Sequence, residues 1–251
     1  MKRNGKTGRF FGVAMIAAVM AASMAGCRSK SDDTGNFTVT EKTLIREAAA
    51  VAGNDNEVPA GTMRVLTICD SADLAVLRSP SSDLSAHALL SEEYRQLCSL
   101  MVATVTHPSQ DGVGIAGPQV GIGRRVVAVQ RFDKPGEPFE IYPNIRLLWA
   151  SDTLMAGPEG CLSVPDRRGD VLRSCEIVVE YADLDSLVRL AAGMTPREFR
   201  RQFRRGSASD GGGGFRMDSV PMVRDTVCGF TAVIFQHEID HLDGILYIDR
   251  L

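Results

Sequence analysis

The segment His237-Glu238-Ile239-Asp240-His241 constrains this chain more than any other. Residues four apart share one helical face, so both imidazoles reach a single ion only if the stretch is a helix. Glu238 then stands beside that ion as a proton-transferring carboxylate. Only four histidines occur in the chain, and two of them are here. Apolar residues surround the motif, and the pattern predicts a helix from Cys228 to His241. A second stretch, Glu159-Gly160-Cys161-Leu162-Ser163, offers a thiolate as a third ligand. His237, His241 and Cys161 together leave a fourth tetrahedral position open, which marks a catalytic site rather than a structural one.

The body of the chain reads as an ordinary soluble domain: 251 residues, 44% hydrophobic and 24% charged. A net charge of −3, one Trp and four Tyr give no basis for a nucleic-acid partner. The N-terminus differs. Lys2, Arg3, Lys6 and Arg9 precede an uncharged stretch, Phe10 to Ala25, that is shorter than the roughly 20 residues of a membrane helix. This is the pattern of a signal peptide. Ending in Met24-Ala25-Gly26-Cys27, it resembles a bacterial lipoprotein signal, which implies lipidation at Cys27. The expected organisation is therefore a signal peptide over 1–26, a polar tether over 27–61 with weak helical character around Lys42 to Val51, and a catalytic domain over 62–251. The expected location is that of an exported lipoprotein on the inner or outer membrane, periplasmic or at the surface. Cys69, Cys98, Cys175 and Cys228 lie mostly in apolar runs and read as buried free thiols.

Met63 to Ile68 reads as a first strand, and Leu84 to Val105 has helical spacing. Gly112 to Gly123 is a glycine-rich loop, followed by a buried strand over Arg125 to Gln130. Extended segments follow at Glu140 to Ile145, Leu147 to Ala150 and Val171 to Tyr181, with a last one at Ile245 to Ile248. Short strands between two long helices predict an α+β fold, mostly antiparallel, around the C-terminal metal-binding helix. One segment, at about 184–225, reads as an insertion. Thr195-Pro196-Arg197-Glu198 has the signature of a helix start. Phe199 and Phe203 share one face of the predicted helix, with arginines around the rest, and Ser207 to Gly214 is a linker.

Gly112-Val113-Gly114-Ile115-Ala116-Gly117-Pro118-Gln119, Glu159-Gly160-Cys161-Leu162-Ser163 and Gln236-His237-Glu238-Ile239-Asp240-His241-Leu242-Asp243-Gly244 stand in that order. Together they resemble the peptide deformylases over roughly Met63 to Leu251. The resemblance implies hydrolysis of the N-formyl group of N-formylmethionyl peptides at one divalent ion per chain, ferrous iron in the first place, with zinc, nickel or cobalt as substitutes. It implies Glu238 as proton carrier, with the Gln119 side-chain amide and the Leu162 backbone N–H as oxyanion donors. It also implies Val113 and Gly114 pairing with an extended peptide. Phe230, Val233 and Ile234 lie on the His237 face of the helix and suit a methionine side chain. Arg168 and Arg173 match arginines that orient carboxylates such as Glu159 or Asp240, or hold substrate backbone. Gly117 stands where the family usually has Ala. The expected partners are the formyl peptide and, through Cys27, a membrane; the chain is expected to be a monomer. Two other readings compete: a zincin-like metallopeptidase, whose third ligand would be Asp243 or Asp249, and a non-catalytic formyl-peptide-binding lipoprotein.

Overall fold

The structure, a computed structural model, describes residues 35–50, 61–203 and 220–251. The expected signal peptide, Cys27 and the Ser207 to Gly214 linker lie outside the described residues. Helices α1 (Val39–Ala50), α2 (Ser71–Leu77), α3 (Ala86–Leu89) and α4 (Glu92–Val105) come first. Strands β1 (Gly114–Ala116), β2 (Val126–Gln130), β3 (Phe139–Pro143), β4 (Arg146–Ala150), β5 (Leu154–Cys161), β6 (Val164–Ser174) and β7 (Glu176–Ala182) follow. Helices α5 (Leu184–Ala192) and α6 (Pro196–Gln202), strand β8 (Met222–Cys228) and helix α7 (Gly229–Leu242) complete the order.

Every pairing between the described strands is antiparallel: β1-β2-β3, β4-β7-β8, and the hairpin β5-β6. The α+β expectation therefore holds. Strand β2 is buried on both faces, as its Val-Val-Ala-Val run requires. One of its faces joins α1 and α4 in a core with Ile45, Leu97, Met101 and Ile115. The other packs on α7, through Val127, Val129, Phe235 and Leu242. The helix α7 is thus clamped by two sheets, which fixes the direction of its polar side chains.

Several sequence expectations need correction. Met63 to Ile68 is not a strand; its backbone bonds go to a turn and a hairpin tip (Leu66 N–H to Gln119 O, 2.7 Å; Ile68 N–H to Ser163 O, 2.9 Å). Leu84 to Val105 is two helices, because Ser91 caps a new start by accepting from Tyr94 N–H. Ile245 to Ile248 is not extended: a 3-10 turn, Tyr247–Asp249, forms where the Asp249 carboxylate accepts Leu246 N–H. The insertion is shorter than 184–225, since Met222–Cys228 is a full strand in register with β7. The described cysteines are free, but none is fully buried: Cys69 and Cys228 are exposed, and Cys98 and Cys175 are half-buried.

The polar tether is also revised. Helix α1 docks on the domain: Ile45 is fully buried, and Glu41 accepts three hydrogen bonds from the guanidinium of Arg124 at 3.0–3.1 Å. Both partners are buried, and Arg124 also donates to Asn36 O and Ser82 Oγ. Truncating one side of a buried, hydrogen-bonded charge pair leaves the other uncompensated. Glu41→Gln is expected to lower unfolding free energy by about 2 kcal/mol in urea titration; an unchanged midpoint would mean that α1 is not held to the domain.

Candidate metal centre

Cys161 ends β5 at the tip of the β5–β6 hairpin, with a register shift between Gly160 and Cys161. A bulge re-aims a side chain, and here the thiol turns toward α7. His237 and His241 lie one turn apart on α7. Cys161 Sγ is 3.2 Å from His241 Nε2, and the donor atoms of Cys161, His237 and His241 lie within 4.8 Å of one another. Donors around a tetrahedral ion at about 2.0–2.3 Å sit about 3.5 Å apart, so this set closes on one ion with small adjustments. A thiolate with two imidazoles suits zinc, iron or nickel.

The surrounding carboxylates fix the ligands. Glu159 Oε2 accepts from His237 Nδ1 at 2.8 Å, which leaves Nε2 of His237, on the Cys161 side, as its metal-ligating atom. Arg173, itself buried, binds Glu159 through Nε and Nη2 (2.7 and 2.9 Å) and Asp240 through Nη1 (2.6 Å). Arg250 holds Asp240 from the outside at 2.5 Å. Of the two arginines singled out from the sequence, Arg173 joins this network and Arg168 is exposed beside Gly160. Burial drives the Glu159 carboxyl up, but Arg173 and His237 overcome it and hold the group at about 2. Burial would lower His237, yet its hydrogen bonds to Cys161 and Glu159 raise it to about 10. His241, buried and facing His237, lies well below the ordinary range.

Glu238 is buried, and its Oε2 has no hydrogen-bond partner. Burial pushes its carboxyl up to about 7, against the pull of His237. A carboxyl with that affinity takes up and returns protons near neutral pH. Gln119 sits on a 3-10 turn, Gly117–Val120, with its side-chain oxygen accepting from Ala116 N–H. Its amide nitrogen is therefore aimed inward, 3.2 Å from Ser163 Oγ and 3.5 Å from Cys161 Sγ. Leu162 occupies the hairpin turn next to Cys161.

Strand β1 is an edge strand whose only ladder partner among the described residues is β2, and it runs against α7. A Cβ on Gly114 would lie 2.5 Å from Glu238 Oε1 and 2.9 Å from Ile234 Cγ2. Gly114→Ala is expected to push the carboxylate aside and cut turnover about 10²-fold, with metal content unchanged; full activity in that variant would contradict this packing. Gly117 has as little room: a Cβ there would lie 2.7 Å from both Arg124 O and Ile122 O. Glycine here permits the tight closure of this loop. Ile234 is buried beside Gly114, Val233 is half-buried, and Phe230 is half-exposed with its ring 5.3 Å from that of Phe132. Val113 is half-buried next to them. The five residues expected to hold substrate thus flank β1 and α7. Asp243 and Asp249 pair with Arg125 and Arg78 instead of facing the histidines. Sequence reasoning missed the direct Glu159 bond to His237.

The polypeptide deformylase family model matches residues 64–191 and 221–251. A peptide deformylase of Leptospira biflexa is 32% identical over 185 residues, covering 70% of this chain and 82% of its own. One from Synechocystis is 32% identical over 177 residues, covering 70% and 74%. Among solved structures, the Met-Ala-Ser-bound class I type b peptide deformylase of Acinetobacter baumannii is 31% identical with a TM-score of 0.55. That alignment covers 76% of this chain and 98% of the other. The deformylase of Thermotoga maritima is 26% identical with a TM-score of 0.54, covering 76% and 97%. The break in the family match falls where α6 and its flanks interrupt the β7-to-β8 connection, and the matched residues hold every donor of the cysteine–histidine site, so this chain belongs to the polypeptide deformylase family.

Proposed function

We propose that the chain removes the formyl group from N-formylmethionyl peptides at one divalent ion held by Cys161, His237 and His241. The observation that carries this reading is the convergence of those three donors with the buried Glu238 carboxylate and the inward Gln119 amide. When bound, the ion lends Lewis acidity, which activates water and polarises the formyl carbonyl. Glu159 keeps His237 in the ligating tautomer. Glu238 takes the proton of the attacking water and delivers it to the leaving amine. Gln119 Nε2 and the Leu162 N–H donate to the oxygen that gains charge, and one such donor is worth about 3–4 kcal/mol of barrier. The free edge of β1 at Val113 and Gly114 receives the peptide as an added strand. Phe230, Val233 and Ile234 receive the methionine side chain.

Ferrous iron is our reading of the ion, with zinc or nickel as substitutes. All the groups come from one chain, which supports action as a monomer. The N-terminal pattern supports a signal peptide ending before a lipidated Cys27, and hence action outside the cytoplasm. Formyl-Met-Ala-Ser tests the activity: formate and free Met-Ala-Ser are expected from the metal-loaded protein, and neither after chelation. Cleavage between residues would instead make the chain a metallopeptidase. Binding without turnover would make it a receptor.

A further inference from the structure

Two parts of this chain lie outside the family match: the residues before 64 and those from 192 to 220. Their described portions meet at one place, helix α3. Gly35 O accepts from Ser85 N–H at 2.7 Å, and Ser85 Oγ donates to Asn36 Oδ1 at 2.6 Å. Two residues on, His87 meets Phe199 of α6 edge to face, with ring centroids 4.8 Å apart. Phe199 and Phe203 pack against the core that also contains Phe37 and Ile45. So α6 is seated by its aromatic face.

The opposite face carries the charge. Arg197 and Arg201 stand about half a turn away from Phe199 and Phe203, with Arg200 between, and all three are exposed. Among the described residues none of them is in an ion pair, and Arg200 Nε donates to Pro196 O. The adjoining α5 exposes Val188 (54%) and Leu190 (43%) beside Arg189. Three acids, Asp183, Asp185 and Glu198, stand against these four arginines, and Asp183 and Glu198 are turned back onto Ser186 and Thr195 as helix caps. Exposed arginines with exposed aliphatic side chains suit an interface between water and anionic lipid.

We propose that the α5–α6 surface rests on an anionic membrane when the chain is anchored through Cys27. The inference rests on the lipid-anchor reading and gives that anchor a geometry. Gly35 comes eight positions after Cys27, a reach of at most about 28 Å. An anchor that short holds the α3 end of the domain near the lipid, where α6 also sits.

Hydrogen exchange of the full chain, reconstituted in vesicles, tests this. The comparison is between phosphatidylcholine alone and phosphatidylcholine with phosphatidylglycerol. The amides of Pro196–Gln202 are expected to exchange at least tenfold more slowly with the anionic lipid. The protection should disappear at 0.5 M salt and in the R197E/R200E/R201E variant, with formate release from a soluble tripeptide unchanged. Equal exchange in both vesicles would overturn the proposal, as would equal protection by a single-stranded RNA oligonucleotide without vesicles. Intact mass of the same chain, with Cys27→Ser as control, reports lipidation separately. A missing lipid mass would sink the anchor reading, whereas a lipidated chain with unprotected α6 amides would sink only the docking surface.

Discussion

Glu238→Gln is expected to lower kcat for formate release by about 10³-fold, or ~4 kcal/mol of barrier, at unchanged metal content. The substitution is nearly isosteric, which matters where Gly114 leaves no space for anything larger. It removes only the ability to carry a proton. The wild-type carboxyl is poised near neutrality by burial, so both of its states are accessible while the reaction runs. An amide has one state. Turnover above a tenth of wild type in metal-replete Glu238→Gln would mean that another group moves the proton.

Arg173→Ala is expected to have the largest structural effect. The guanidinium bridges Glu159 and Asp240 inside the protein, and its loss leaves the two carboxylates with only His237 and Arg250 as partners. Breaking a buried charge network in this way costs about 3–5 kcal/mol, which for a domain of this size is a fall of about 10 °C in Tm. A second effect separates this variant from simple destabilisation. Glu159 holds the ring of His237, so metal affinity should fall about 10- to 100-fold as that support loosens. Arg173→Lys keeps the charge but not the two-pronged grip on Glu159, and should recover part of the stability and less of the affinity. A folded Arg173→Ala protein with wild-type metal affinity would show that the network acts on stability alone.

The residues proposed to do the chemistry were legible because that chemistry demands them at fixed spacing. Two imidazoles four apart need a helix, and the glycines before Gln119 signal close backbone approach. What supports those residues was harder to read. Arg173 stood out, but its partners lie on β5 and α7, and sequence distance hides that meeting. The β5–β6 hairpin was hidden because β5 exposes every second residue while its Leu-Met-Ala-Gly-Pro-Glu-Gly-Cys run does not alternate in polarity. Helix α1 looked like tether because its composition is polar. Its buried residues are only two, Ile45 and Glu41, and Glu41 pairs with an arginine 83 positions away. Met63 to Ile68 shows the converse error: an apolar run extended along the site without joining a sheet.

The three-residue strand β1 sets a limit on what this site can discriminate. On the proposed binding mode, a peptide lying along it gains main-chain bonds over a couple of residues before Gly117 turns the backbone away. Beyond that point the polypeptide meets no ladder, and its sequence goes unread. Selection therefore falls on the blocked end and its first side chain, so formylated ends of any origin or length compete for one short landing strip.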